Sequence, residues 1–581
     1  MNNETSSERD DLRHEGSVQD DSLQSVSVPG DSASVSNHAG TANSADSAMD
    51  GQRSSWIQTW VEVALLTLLF FAYAGDPPPM VNEAHYLVKA KHFWDPSFCQ
   101  NDMFVASGKA HTTFYVLFGW PTRYFSLETT AWIGRLVGWT LLAFGLQRLC
   151  WALFANRFAS LAVAMVWMAG IEYGNLAGEW VIGGIEAKVP AYGLVLWALA
   201  ELVRRRWNRV WILLGAASAF HVLSGGWAVV ASLVCWGMTE RGRPDGVKLF
   251  TPALFIGGGI ALFGLLPAIA LTIGGNPEDS RVAARIYSYY RIKHHLLPAD
   301  FYPHWFLRHS VLIVAMLGGW LAYRRRDGGI RRLGWFAIGT LAIAAIGLLV
   351  GVLPQVAPDL AAKLLRYYWF RLSDAVVPLM FAVIATKLLM DQARLRRVAG
   401  VVVLGLAIAL IGYSQYRRSR LGVPPSVSND LLGRDAGAAP EVQRAVYGDW
   451  LAVCRWARVS TGCDEVFLTP RHQQTFKWYA ERAEVVNWKD VPQDAAALRE
   501  WYRRFQEIYP RRLGHVRVTI RYSTLQEYRQ AYGVRYLIVD RRISGSSLPL
   551  VQVYPLGDEQ NDTYAVYEMP LVTESKPTIR P

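Results

Sequence analysis

Cysteine is scarce: five in 581 residues, scattered without a recurring spacing. That excludes a disulfide framework. Cys150 and Cys235 fall in apolar blocks and read as packing residues, while Cys99, Cys454 and Cys463 fall in polar segments. Cys454 and Cys463 are the candidate disulfide if their domain lies outside the cytoplasm. Charge is thin as well, at 18% of residues against 51% hydrophobic. No glycine-rich phosphate loop follows a strand-like run, so a nucleotide site is unsupported. There is no fixed-period repeat. No basic leader opens an early apolar run, since the first such run begins near Trp56, and a signal peptide is not expected. Residues 1–55 hold ten acidic and three basic residues among Ser, Asp, Asn and Gly, with almost no large apolar ones. Such a stretch buries too little surface to fold and is expected to be a disordered tail.

The apolar residues are bunched. Blocks lie near 57–74, 130–154, 159–174, 189–203, 210–222, 226–239, 249–273, 309–324, 333–353, 374–390 and 398–415, about eleven in all. This predicts a mainly α, polytopic membrane protein over 56–415. Several blocks fall short of the roughly 20 residues of a full span, which suits half-helices. Lys and Arg outnumber acids 59 to 48, and many sit at block ends rather than in any nucleic-acid module. Arg148 with Arg157, Arg204 to Arg206, Arg241 with Arg243, Arg324 to Arg326, and Arg394, Arg396 and Arg397 occupy alternate connections. The positive-inside rule puts these in the cytoplasm together with the N-terminus. The connections 75–128, 275–308 and 354–373 then lie on the outer face of the cytoplasmic membrane, as does everything after the last span. Arg417, Arg418 and Arg420 run against that assignment, although long domains translocate regardless of charge.

Residues 421–581 change character. The runs VFLTP (466–470), EVVNW (484–488) and VRYLIVD (534–540) read as strands, and DAAALREWYRRFQEIY (494–509) reads as a helix. A small extracytoplasmic α/β domain is expected.

The outer connections carry the chemistry. In 75–128, Pro77 to Pro79 force an extended exit from the first span, and NEAHYLVKAKHFW has helical spacing. Asn82, Glu83 and Tyr86 fall near that helix's N-terminus, where a carboxylate is favoured, so Glu83 is a candidate general base. Asp76, at the end of the first span, is an alternative base. Asp102 is a substrate-hydroxyl candidate, or else a helix cap. His85, His92 and His111 lack tight metal-ligand spacing; no cofactor is required, and a divalent metal is only compatible with the pattern. Arg285, Arg291, Lys293, His294 and His295 mix with tyrosines in the second connection, and Arg366 and Arg371 do so in RYYWFRLSD. Cations among aromatics at a bilayer surface suit a lipid phosphate, or simply an interfacial belt. Glu179, Glu186 and Lys188 fall at the bilayer edge, where ionisable groups are paired or wet. Glu186 and Lys188, with Asn82, His85 and His111, are candidates to line a substrate cavity. His221 reads as a satisfied core histidine.

A first span, a long outer loop with an acidic motif, many spans and an outer C-terminal domain together resemble the class C glycosyltransferases. In several of these the loop opens with an Asp-Glu pair before a helix; this sequence has Asn82-Glu83-Ala84-His85-Tyr86. The resemblance implies transfer of a sugar from a polyprenyl-phosphate donor to a glycan, lipid or protein acceptor, with a site-forming carboxylate at Glu83. Asn82 departs from the acid usual there, which leaves Glu83, Asp76 and Asp102 all open as the base. Along most of 60–570 the chain also resembles an uncharacterised family of bacterial polytopic membrane proteins. The stretches that carry this are NEAHYLVKAKHFWDP, GGIEAKVPAYGL, RIKHHLLPADF and RYYWFRLSD; this likeness implies no activity. The rival readings are a transporter or lipid flippase and a scaffold of an envelope-assembly complex.

Overall fold

The computed structural model describes residues 56–570 apart from 81, 155, 157, 425–437, 472, 510–520 and 545–547, and leaves undescribed the side chains of 393–397, 399, 403, 404 and 421. The expected N-terminal tail lies outside the described residues. From Trp56 onward the chain forms one compact unit.

Each of the eleven apolar blocks coincides with a helix. Among the described residues eight helices are long and apolar enough to cross a membrane: Trp56–Ala74, Leu127–Leu153, Val222–Thr239, Pro252–Ala270, Pro303–Tyr323, Gly328–Gln355, Arg371–Asp391 and Gly400–Arg420. Three helices are shorter, Ala159–Gly174, Lys188–Val203 and Trp207–Phe220. Burial divides them into layers. The most apolar stretches of Leu127–Leu153 and Arg371–Asp391 are 61% and 72% buried, whereas those of Pro252–Ala270 and Pro303–Tyr323 are each 17% buried. Outer helices with that much bare apolar surface fit a lipid surround. At the centre, Leu127–Leu153 lies so close to Lys188–Val203 that a Cβ on Gly145 would stand 2.5 Å from the Gly193 carbonyl oxygen. Small residues permit such backbone contact in apolar bundles.

Helix ends sort into two faces. On one, Arg204 donates to the Arg148 carbonyl, Arg205 meets Glu240 and Asp245, Arg332 donates to the Val203 carbonyl, and Lys387 lies 3.8 Å from Asp327. On the other, Asn82 reaches Glu186, His111 stacks on His221, and Arg371 pairs with Glu179. Arg148, Arg204, Arg205, Arg332 and Lys387 thus lie at helix ends other than those that carry Asn82, Glu186 and Arg371.

The connection 75–128 is folded, with helices at Glu83–Trp94, Met103–Ala106 and Thr112–Gly119. Asp76 accepts from Arg417 (2.6 Å) and Arg418 (3.2 Å), and Arg418 also donates to the carbonyls of Phe71 and Ala72. The basic cluster after the last span therefore neutralises the carboxylate and the helix terminus at the end of the first.

The C-terminal region carries a mixed sheet of five strands, β1 (Val466–Leu468), β2 (Ala483–Glu484), β3 (Val534–Asp540), β4 (Gln552–Tyr554) and β5 (Tyr564–Glu568), in the order β2-β1-β3-β5-β4. β2 and β3 flank β1 in parallel, and β5 runs antiparallel to both β3 and β4. The helix expected over 494–509 spans Ala495–Ile508. Two expectations are corrected. EVVNW is a strand only at its first residue, because beyond Glu484 the chain turns so that the Asn487 side chain can accept from the Lys489 and Asp490 N–H groups. Cys454 and Cys463 are free thiols: the first is buried on the helix Pro440–Ser460 and the second is exposed. The sheet is not an appended body, since Ala283 and Ile286 of the second outer connection lie in one core with Val466, Leu498, Trp501 and Val534.

Candidate functional site

Five helices start around one buried polar cluster: Glu83–Trp94, Thr112–Gly119, Lys188–Val203, Val222–Thr239 and Arg371–Asp391. Each brings the positive end of its dipole, so together they favour an anion. The side chains at these starts touch. Lys188 lies between Glu179 (2.8 Å) and Glu186 (3.0 Å), with its ammonium 3.9 Å from the Trp180 ring centre. Glu186 also accepts from the Asn82 amide at 3.0 Å. The Nε of Arg371 stands 2.7 Å from Glu179, and its guanidinium lies over the Tyr368 ring. Burial works to raise the Glu179 carboxyl, but Arg371 and Lys188 outweigh it and hold it below its ordinary value.

His221 is part of this cluster rather than of an apolar core. Its Nδ1 faces the Ser224 N–H at 3.1 Å and its Nε2 faces Arg371 Nη1 at 3.1 Å. A neutral imidazole has one lone pair, so it accepts from only one of them. With the helix cap kept, an Arg371 N–H is left for another acceptor. His111 stacks on His221 with ring centres 5.3 Å apart, and Tyr86 OH lies 3.4 Å from His111 Nε2.

Three further arginines of the outer connections take different roles. Arg291 donates to the Trp488 carbonyl (3.0 Å) and stacks on that ring. Arg366 lies over Tyr287, whose hydroxyl meets that of Tyr368 at 2.7 Å. Neither Arg291 nor Arg366 has a carboxylate partner among the described residues, whereas Arg285 is paired with Asp359. Lys293 does not join them: it is exposed and bound to Asp300 at 3.0 Å. His294 is exposed beside His295, which donates to the Ala177 carbonyl.

The three acids expected as bases are all committed elsewhere. Glu83 receives Arg135 Nε at 2.6 Å, the second Arg135 nitrogen, and the N–H groups of Met80 and Ile185, each at 2.8 Å, and it is 1% exposed. With both oxygens filled it holds the loop on the bundle. Asp76 is bound by Arg417 and Arg418. Asp102 caps Met103–Ala106 through the Phe104 and Val105 N–H groups, which is the capping role, and its second oxygen accepts from the Glu484 N–H.

His85 is different. Asp490 of the C-terminal region accepts from its Nδ1 at 3.2 Å, while among the described residues nothing is bonded to Nε2. Asp490 is itself fixed by Lys477 (2.7 Å) and the Asn487 amide (2.8 Å). Burial lowers the His85 imidazole, leaving a neutral ring with its lone pair at Nε2. Sequence reading missed Arg135, Lys477 and Asp490. Arg135 had a signal, as a charge well inside an apolar block; the other two had none.

Burial also lowers His295 to about 4 and His111 to about 3. The unfolded chain takes up these protons below about pH 6.5, and the folded chain does not, so stability is full above that pH and falls as the pH drops through the window. At pH 5 the loss is about 2 kcal/mol per histidine. The detergent-solubilised protein is expected to melt at a lower temperature at pH 5 than at pH 7.5, with His111→Gln narrowing the gap. Equal melting temperatures at the two pH values would contradict this. Among the described residues no group of three or more His, Cys, Asp or Glu side chains is placed to hold a metal ion.

Residues 448–508 match a family described as a domain of unknown function (DUF6798). The matched segment contains Lys477, Glu484, Asn487 and Asp490. No curated protein matches the chain.

Proposed function

We propose that this chain is a glycosyltransferase of the cytoplasmic membrane that moves a sugar from a polyprenyl-phosphate donor to an acceptor hydroxyl at the outer face. The observation that supports this most is the convergence of five helix N-termini with Lys188 and Arg371 at the ends of apolar helices, beside an imidazole oriented by a buried carboxylate. The donor's lipid tail lies along the bare apolar helices and its phosphate at the positive helix ends. His85 Nε2 takes the proton of the acceptor hydroxyl; the acceptor oxygen bonds to the anomeric carbon as the bond from that carbon to the phosphate oxygen breaks. Arg371, Arg291 and Arg366 offset the charge left on the departing lipid phosphate. Asp490 keeps the His85 tautomer and stabilises the imidazolium, so the region of unknown function supplies part of the catalytic apparatus.

The test is turnover of polyprenyl-phosphate sugars by the purified chain in nanodiscs, read as release of polyprenyl phosphate. His85→Gln is expected to lower kcat by about 10²-fold or more with donor binding retained, and Arg371→Gln to weaken donor binding. Failure of the parent protein to turn over any such donor would sink the transferase reading. Full activity in His85→Gln would remove the base.

A further inference from the structure

The face opposite the cluster holds a second arrangement. Helix Val222–Thr239 starts beside His221 in the cluster and ends 18 residues later, about 27 Å away at the helical rise. The connection that follows, to Pro252–Ala270, is rich in charge, and its charges are unevenly matched. Arg205 takes Glu240 at 2.8 Å and Asp245 at 3.0 Å, and Arg243 lies 3.8 Å from Asp245 and donates to the Thr239 carbonyl. Both acids of the connection are thereby used. Arg241 and Lys248 are exposed, and among the described residues neither side chain has a hydrogen-bond or ion-pair partner.

These two cations line one cleft of about 510 Å³ with Trp236, Leu249 and Phe250. The Trp236 indole donates to the Val247 carbonyl at 2.9 Å, which fixes its ring as a wall. Phe250 is 76% exposed at the lip, and the helix that begins two residues later has the bare apolar surface described above. A basic residue that serves only to orient a span works equally well paired or unpaired. Here the paired arginines lie outside the cleft and the unpaired cations line it. The cleft thus joins two vacant donors for a phosphate to an aromatic wall and a strip of apolar helix.

We propose that this cleft binds an anionic phospholipid, its phosphate between Arg241 and Lys248 and its acyl chains along Pro252–Ala270. A free phosphate would satisfy the cations but would leave the aromatic lip and the adjoining helix unused. The site is separate from the cluster, and the proposal does not depend on the transferase reading.

Native mass spectrometry of the full chain, titrated with phosphatidylglycerol or with phosphatidylcholine of the same acyl chains, tests it. The parent protein is expected to prefer phosphatidylglycerol. Arg241→Ala with Lys248→Ala is expected to weaken that binding by about tenfold or more. Both residues are exposed, so the double variant should fold, and its unchanged melting temperature would verify that. Arg243→Ala, which removes an already paired cation, is expected to leave the preference intact. Equal retention of phosphatidylglycerol by the parent and the double variant would overturn the proposal. Displacement of the lipid by millimolar glycerol phosphate would reassign the cleft to a soluble phosphate ligand.

Discussion

Lys477→Met is expected to unfold the C-terminal region near neutral pH. The Lys477 ammonium lies 2.7 Å from Glu484, 2.7 Å from Asp490 and 3.2 Å from Asp102, and none of the four side chains is more than 3% exposed. Burial disfavours the charge on Lys477, but the three carboxylates outweigh it and raise the lysine above its ordinary value. Burial raises Glu484, with Lys477 opposing; burial works to raise Asp490 too, but Lys477 and His85 hold that carboxyl low. Without the lysine, three acids share a site closed to water and relieve their repulsion only by taking up protons. Breaking a buried pair in this way costs about 3–5 kcal/mol, a large part of the total stability of about 5–15 kcal/mol for a typical domain. The variant's carboxyls are raised above their unfolded values, so the stability they retain is present at low pH and lost as the pH rises. Its pH dependence should therefore oppose that of the parent, which weakens on acidification. Tryptophan fluorescence melts at pH 5 and 7.5 measure both signs; a variant that melts like its parent at pH 7.5 would refute the expectation.

Arg135→Met is expected to be nearly as damaging, at about 3–5 kcal/mol, because it strands the Glu83 carboxylate 1% exposed among apolar helices. Glu83→Gln in the Arg135→Met background should recover part of the loss, since an amide needs no counter-charge and keeps an acceptor for one of the Met80 and Ile185 N–H groups, which bond to different oxygens of Glu83. Thermal melts of the two singles and the double give the coupling directly. Additive losses would mean that the two side chains are not a pair. A base at Glu83 predicts something else: Glu83→Gln alone would abolish turnover without moving the melting temperature.

The eleven helices and their alternation were legible because apolar length and terminal arginines are local properties of the chain. The wiring of the site was not. Asp490 meets His85 across 405 positions and Arg417 meets Asp76 across 341, and no periodicity links such partners. Glu83 drew attention by its place at a helix start, yet its role depends on Arg135, which was hidden in the block 130–154. Asn82, Glu186, Lys188 and Arg371 do meet, because helices that start on one face bring their first residues together. Lys293 shares with Arg291 only proximity in sequence, and a local partner, Asp300, holds it at the surface.

The Asp76 pair also bears on the order of assembly. A chain threaded into a bilayer from its N-terminus exposes Asp76 as soon as the first span is in place, but Arg417 and Arg418 arrive only when the last span is made. Until then that carboxylate has to borrow water or lipid headgroups. These two arginines tie the helix Gly400–Arg420 to the end of Trp56–Ala74. The helices Trp56–Ala74 and Gly400–Arg420 thus close on each other only after the apolar helices between them are made, and truncation before Arg417 leaves Asp76 without its clasp.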